Sequence, residues 1–151
     1  MRINHGGSPS QRRRCFPLRL GRSDGRPTRL LVTGASGLLG GRTAEVALAR
    51  GHQVYSCYKE HRPAHGNPTL LDQTNEYQVR RAILEIRPEA IINAAAVTDV
   101  DLCEEDGNTA SLVNMTSVGY LANAAKECES FLVQVSTDYV FDGEKGRYSE
   151  S

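Results

Sequence analysis

From residue 28 onward the chain alternates short apolar runs with stretches whose apolar residues recur every three or four positions. The runs predict strands and the recurrences predict helices. Residues 29–33 read as a first strand. A helix over 38–50 follows, with Ala44, Ala47 and Leu48 on its apolar side and Gly51 as its stop. Residues 53–58 read as a second strand, 59–68 as a polar loop with two prolines, and 69–71 as a short third strand ending at Asp72. The spacing of Val79, Ile83 and Ile86 predicts a helix over 74–86. Residues 90–93 are almost wholly apolar, as a parallel strand buried on both faces should be. A long helix is expected from about 106 to 128, and a fifth strand over 131–136. Such alternation implies an α/β fold, a doubly wound parallel sheet with crossover helices on both faces. Ligands bind such sheets at the carboxyl ends of the strands.

Composition changes this picture at one end. Residues 1–29 hold eight arginines and a single acid, Asp24, with Gly, Ser and Pro and no apolar period. Residues 1–28 therefore read as a disordered basic tail, and 29–151 as the folded domain. A nucleic-acid patch at Arg12-Arg13-Arg14, or part of a targeting peptide there, is the less favoured reading of the tail. Residues 30–151 carry ten basic and seventeen acidic residues, a net of −7, which argues against nucleic acid as the main partner. No apolar run approaches the length of a membrane span, so no membrane is expected. Cys15, Cys57, Cys103 and Cys128 are scattered, without a C-x-x-C pair or a histidine at metal spacing. No metal site is expected, and the spacing suggests a reducing, cytoplasmic setting.

The chemistry sits at the predicted strand ends. Leu30-Leu31-Val32-Thr33 runs into Gly34-Ala35-Ser36-Gly37-Leu38-Leu39-Gly40, and a helical pattern follows. Strand, Gly-rich turn and helix in this order form a Rossmann-type dinucleotide site, with the pyrophosphate on the helix N-terminus. Gly34, Ser36, Gly37, Leu38, Leu39 and Gly40 are its candidate contacts. At the end of the second strand an acid would hold the ribose 2′-OH of NAD, and basic groups would accommodate the 2′-phosphate of NADP. Lys59 and Arg62 lie just past that end, with Glu60 between them. NADP(H) is preferred and NAD(H) is admitted; the alternative is that both cations are ordinary solvated charges. Asp72 suits an N-cap of the helix beginning near Thr74. Asn93-Ala94-Ala95-Ala96 ends the fourth strand, where small side chains let the backbone lie against a cofactor.

The G-x-x-G-x-x-G spacing, with Thr33 in front, resembles the extended short-chain dehydrogenase/reductase superfamily. Two further segments narrow the resemblance to the dTDP-4-dehydrorhamnose reductase family. They are Val97-Thr98-Asp99-Val100-Asp101-Leu102-Cys103-Glu104 and Ser136-Thr137-Asp138-Tyr139-Val140-Phe141-Asp142-Gly143. The resemblance covers 29–151 and implies reduction of a dTDP-4-keto-6-deoxysugar by NADP(H), in dTDP-L-rhamnose synthesis. It implies that Asp72 bonds the adenine amino group and that Asn93, Ala94, Ala95 and Ala96 border the nicotinamide ribose. It implies that Thr137 bonds the substrate carbonyl, and that Ser136, Asp138 and Tyr139 shape the cofactor and sugar pocket. Val97 stands where the family often has an aromatic. Asp101 and Glu104 read as helix-start acids, and Asn114 as a satisfied structural group.

The family's proton donor is the Tyr of a Tyr-x-x-x-Lys pair on the helix after this loop. That pair is read as absent: Tyr58 is followed four residues later by Arg62, Tyr120 by Ala124 and Tyr139 by Gly143. The expectation is the cofactor-binding half of a reductase, incomplete at Ser151, that binds cofactor without turnover; the donor would lie beyond. A nucleotide-sugar substrate is expected for the complete protein, and a homodimer is one assembly consistent with it. Two other readings stay open. One is a sugar-nucleotide epimerase or dehydratase. The other is a regulatory subunit resembling the β-subunit of methionine adenosyltransferase, which shares a closely similar Asp-Tyr-Val-Phe-Asp-Gly segment.

Overall fold

The computed structural model describes residues 26–137, 140–144, 146 and 148. The expected tail lies outside them except for 26–28. Strands β1 (Arg29–Thr33), β2 (Gln53–Tyr58), β3 (Asn67–Leu70), β4 (Ala90–Asn93) and β5 (Phe131–Gln134) form one parallel sheet in the order β3-β2-β1-β4-β5. Helices α1 (Leu38–Ala49) and α2 (Glu76–Ile86) follow β1 and β3, as the crossover rule requires. After β4 come α3 (Val100–Glu105), α4 (Gly107–Ser111) and α5 (Ser117–Glu127).

Leu31 and Val32 are adjacent in β1, and both are fully buried because successive strand side chains enter opposite faces. Leu31 joins Val79 and Ile83 of α2, Leu121 and Ala124 of α5, and Ile91 of β4. Val32 joins Val54 and the small residues Ala44 and Ala47 of α1. The two-sided expectation for the sheet is met, and the core is split by it. Cys57 lies in the α2–α5 layer, where burial pushes its thiol up to about 12. It stays protonated and packs as a small apolar group.

Five expectations need correction. Leu48 is 39% exposed, because α1 packs through Gly40, Ala44 and Ala47. Strand β3 starts at Asn67 and ends at Leu70; Leu71 leaves the strand and enters the core. Helix α2 starts at Glu76, capped by the Asn75 side chain, which accepts from the Gln78 amide at 3.1 Å. The long helix is broken: Leu112–Thr116 between α4 and α5 is π-helical, and α3 precedes them as a separate turn. Asp101 does sit in the first turn of α3, but Glu104 lies past it.

Candidate dinucleotide site

Strand order reverses at β1, which pairs with β2 on one side and β4 on the other. In parallel sheets such a switch point is where ligands bind, in the crevice at the carboxyl edge, and here the loops after β1 and β4 meet. The Gly-rich turn and the Asn93–Val97 segment face it.

The turn is locked from both sides. Gly34 has φ of +63°, and a Cβ there would stand 2.7 Å from the Ala95 nitrogen and 2.8 Å from the Ala94 carbonyl. Only glycine both adopts that φ cheaply and lets the two loops touch. A Cβ on Gly40 would stand 2.3 Å from the Gly34 carbonyl oxygen, so the first turn of α1 lies directly on the turn that precedes it. The Gly37 amide donates to the Gly34 carbonyl at 3.0 Å, and the Ala35 amide to Cys57 of β2 at 3.2 Å. Gly37 is the N-cap of α1. It offers no capping side chain, and the first turn of α1 contains no acid. The opening amides of a helix have no intrahelical partners. Left uncapped and beside bare backbone, they fit an anionic group, and the pyrophosphate of a dinucleotide suits this cradle. Leu38 is 94% exposed and Leu39 is also exposed, so neither is a core residue. The exposed Ser36 donates its hydroxyl to the His61 carbonyl, tying the turn to the loop after β2.

That loop carries Lys59 and Arg62, both exposed. Lys59 Nζ lies 3.2 Å from Asp72 Oδ2. The other oxygen, Asp72 Oδ1, accepts from the Thr74 amide at 3.0 Å and the Thr74 hydroxyl at 2.7 Å. Asp72 therefore closes a tight turn ahead of Asn75 and does not cap α2, which corrects the N-cap expectation. Burial raises the Asp72 carboxyl, but the Thr74 bonds and the Lys59 ammonium outweigh it and hold the group below its usual range.

Asn93 is fully buried at the end of β4. Its Oδ1 accepts from the Thr33 hydroxyl and from the Ala95 amide at 3.3 Å, and its Nδ2 donates to Gln134 Oε1 at 2.7 Å. It ties the ends of β1, β4 and β5 together and sets the course of Ala94, Ala95 and Ala96 across the crevice. Val97 follows, half-buried.

Asn114 reaches back from the π-helical turn and takes hold of Val97: its Nδ2 donates to the Val97 carbonyl and its Oδ1 accepts from the Val97 amide, both at 2.9 Å. The sequence reading of Asn114 as a satisfied group holds, but the partner and the π turn were missed. Among regular helices no periodicity signals one inserted residue. Asn114→Ala should remove both bonds and cost about 1 kcal/mol, because the pair is exposed. Amide exchange at Val97 should accelerate while the core of β1 stays protected; an unchanged Val97 rate would refute the clamp.

Ser136 and Thr137 follow β5, both exposed at the same edge, and the Val135 amide still donates to Asn93 at 3.1 Å. The expected fifth strand thus loses its last two residues as a regular strand, though the ladder reaches Val135. Asp138 and Tyr139 lie outside the described residues. Beyond them Phe141 stacks on Tyr148 with ring centroids 4.5 Å apart, and the Tyr148 hydroxyl donates to Asp142.

The expectation that no Tyr-x-x-x-Lys pair exists fails as a pattern, since Tyr55 and Lys59 have that spacing. They lie along and just past strand β2, where four residues span roughly 13 Å. A helix would bring such a pair to about 6 Å. Tyr55 instead accepts from Gln53 Nε2 at 3.1 Å, and the pair offers no helical proton donor. Among the described residues no cluster of three or more His, Cys, Asp or Glu could hold a metal ion, and no helix is long and apolar enough to cross a membrane.

Comparison with known proteins fits this geometry. The dTDP-4-dehydrorhamnose reductase of Aggregatibacter actinomycetemcomitans is 42% identical over 125 residues, 82% of this chain and 40% of that protein. The methionine adenosyltransferase 2 subunit beta of Xenopus laevis is 37% identical over 81% of this chain and 36% of its own length. The crystal structure of a Bacillus anthracis dTDP-4-dehydrorhamnose reductase in complex with NADP superposes with a TM-score of 0.69 at 34% identity, covering 80% of this chain and 40% of that one. The chain thus spans about two fifths of the length of the relatives it matches. Residues 28–151 match the RmlD substrate binding domain model, and with the fold and the Gly-rich crevice in agreement, this chain belongs to that family, that of the dTDP-4-dehydrorhamnose reductases.

Proposed function

We propose that this chain is the NADP(H)-binding part of a reductase acting on the 4-keto group of a dTDP-deoxysugar. The observation that carries the reading is the bare cradle of Gly34, Gly37 and Gly40, pressed against Ala94–Ala95 at the switch point. In this reading the amides of Leu38, Leu39 and Gly40 take the pyrophosphate, joined by the hydroxyl of Ser36 once it exchanges the His61 carbonyl for a phosphate oxygen. Lys59 and Arg62 take the 2′-phosphate, and Asp72 lies at the adenine. Asn93 sets Ala94, Ala95 and Ala96 beside the nicotinamide ribose, with Ser136 across from them. The bound dinucleotide supplies hydride. Thr137 donates a hydrogen bond to the ketone oxygen, a contact that strengthens as negative charge develops there. Val97, Asp138 and Tyr139 line the sugar side. Residues 1–151 offer no helical Tyr-x-x-x-Lys pair, so the activity assigned to this chain is cofactor binding, and turnover belongs to the whole protein.

Fluorescence titration of the 151-residue chain with NADPH and NADH tests this. Both are expected to bind, NADPH more tightly. Tighter NADH would overturn the NADP preference, and no binding of either would overturn the dinucleotide reading. A second reading, a cofactor-binding regulatory subunit, is supported by the 37% identity to a methionine adenosyltransferase β-subunit. Specific capture of a methionine adenosyltransferase catalytic subunit would favour it over the reductase.

A further inference from the structure

The Lys59–Asp72 pair has a feature that simple cofactor contacts do not require. Asp72 is fixed from behind. The Thr74 amide and hydroxyl hold Oδ1, and the Asp72 amide donates to Gln78 Oε1 at 3.1 Å. Only Oδ2 faces Lys59. The Lys59 side chain is 61% exposed, whereas that of Asp72 is 28% exposed. A flexible ammonium thus meets a rigid carboxylate, and the carboxylate decides where the ammonium rests. The two residues stand at the carboxyl ends of neighbouring strands, at the edge where a ribose 2′-phosphate would arrive.

Resting on the dinucleotide reading above, we propose that Asp72 is the built-in counter-ion of the 2′-phosphate subsite, a specificity-determining residue that offsets the pull of Lys59. The Asp72 carboxylate occupies the ammonium that a 2′-phosphate would use. A phosphate joining Lys59 must also approach a like charge, and it loses much of what it gains from the cation. A ribose with a free 2′-OH carries no such penalty. The counter-ion therefore narrows the gap between dinucleotides with and without the phosphate. The Thr74 bonds and the Lys59 ammonium outweigh burial and hold the Asp72 carboxyl below its usual range, so the charge is present at neutral pH.

Asp72→Asn is the direct test, because Asn retains an oxygen for Thr74 and removes only the charge facing Lys59. Affinities of the full chain for NADPH, NADH, adenosine 2′,5′-bisphosphate and AMP would be measured at low salt. Contacts to adenine cancel in the NADPH/NADH and bisphosphate/AMP ratios. D72N should raise both ratios about fivefold, a size set by a charge pair near the surface. The gain should shrink as salt is added. K59Q should collapse the ratios, and D72N added to K59Q should then raise them by clearly less than D72N alone, the difference being the part of the effect that runs through Lys59. Circular dichroism checks that each variant is folded. If both dinucleotides bind and D72N leaves the ratios unchanged or lowers them, the inference fails and the dinucleotide reading stands. If the unmodified chain binds neither dinucleotide, both fail together.

Discussion

Gly40→Ala is expected to lower stability by about 3 kcal/mol and to abolish dinucleotide binding. The added methyl would stand 2.3 Å from the Gly34 oxygen, 2.7 Å from the Gly34 carbonyl carbon and 3.0 Å from the Ala35 Cα. All three are backbone atoms, so no side chain can swing aside. The turn cannot retreat either, because Gly34 already lies against Ala94 and Ala95. Helix α1 must therefore lift from β1, which breaks the Ala44 and Ala47 packing and moves the amides that face the crevice. A urea midpoint and an NADPH titration measure both losses. Gly119→Ala is the matched control. Gly119 lies exposed in α5, and its added methyl would meet nothing within 4 Å. That substitution should raise stability by up to about 1 kcal/mol, because alanine is the better helix former. Equal midpoints for the two variants would refute the close packing of α1 on the turn.

Asn93→Ala is expected to cost a similar amount, about 3 kcal/mol. The truncation removes an acceptor from the buried Thr33 hydroxyl and a donor from Gln134, and leaves a void where three strands end. Unlike the exposed Asn114 pair, the Thr33 hydroxyl is buried and gains no replacement partner from solvent, so its loss carries a desolvation penalty. The urea midpoint should fall, and the Ala95 amide should exchange faster. Asn93→Asp keeps the acceptor but places a charge where nothing compensates it, and should also be destabilising at neutral pH. An unshifted midpoint for N93A would mean that the network contributes nothing.

The sequence made the sheet legible wherever burial is two-sided. Strands β1, β2 and β4 fall where the apolar runs stand, because central parallel strands are covered on both faces and keep few polar residues, Ser56 within β2 and Thr33 and Asn93 at the strand ends among them. Strand β3 was misplaced because Pro68 argued against a strand. At the sheet edge a proline costs no ladder bond on its outer side, so it is tolerated. Asn75 and Gln78, three residues apart, are the cap signal that Asp72 obscured. Leu48 looked buried because helical spacing cannot see that α1 packs through small residues at close range. The Gly-rich turn was legible because its chemistry is local. The Lys59–Asp72 pair was not, since it depends on two loops meeting across a sheet.

The contact of Gly34 with Ala94 and Ala95 also sets an order of assembly. The two halves of the crevice are sixty positions apart in the chain, and the bonds from Gly37 and to Cys57 fix only the first of them. During synthesis, β1, α1, β2 and β3 leave the ribosome before β4 does. The amides of α1 then have no wall to face, and the turn at Gly34 lacks its contact with Ala94 and Ala95. Closing so long a loop is slow compared with forming a helix. On the dinucleotide reading, binding would become available only after β4 docks, and a nicotinamide cofactor would act as a late sensor of folding, capturing molecules that have already closed the centre of the sheet.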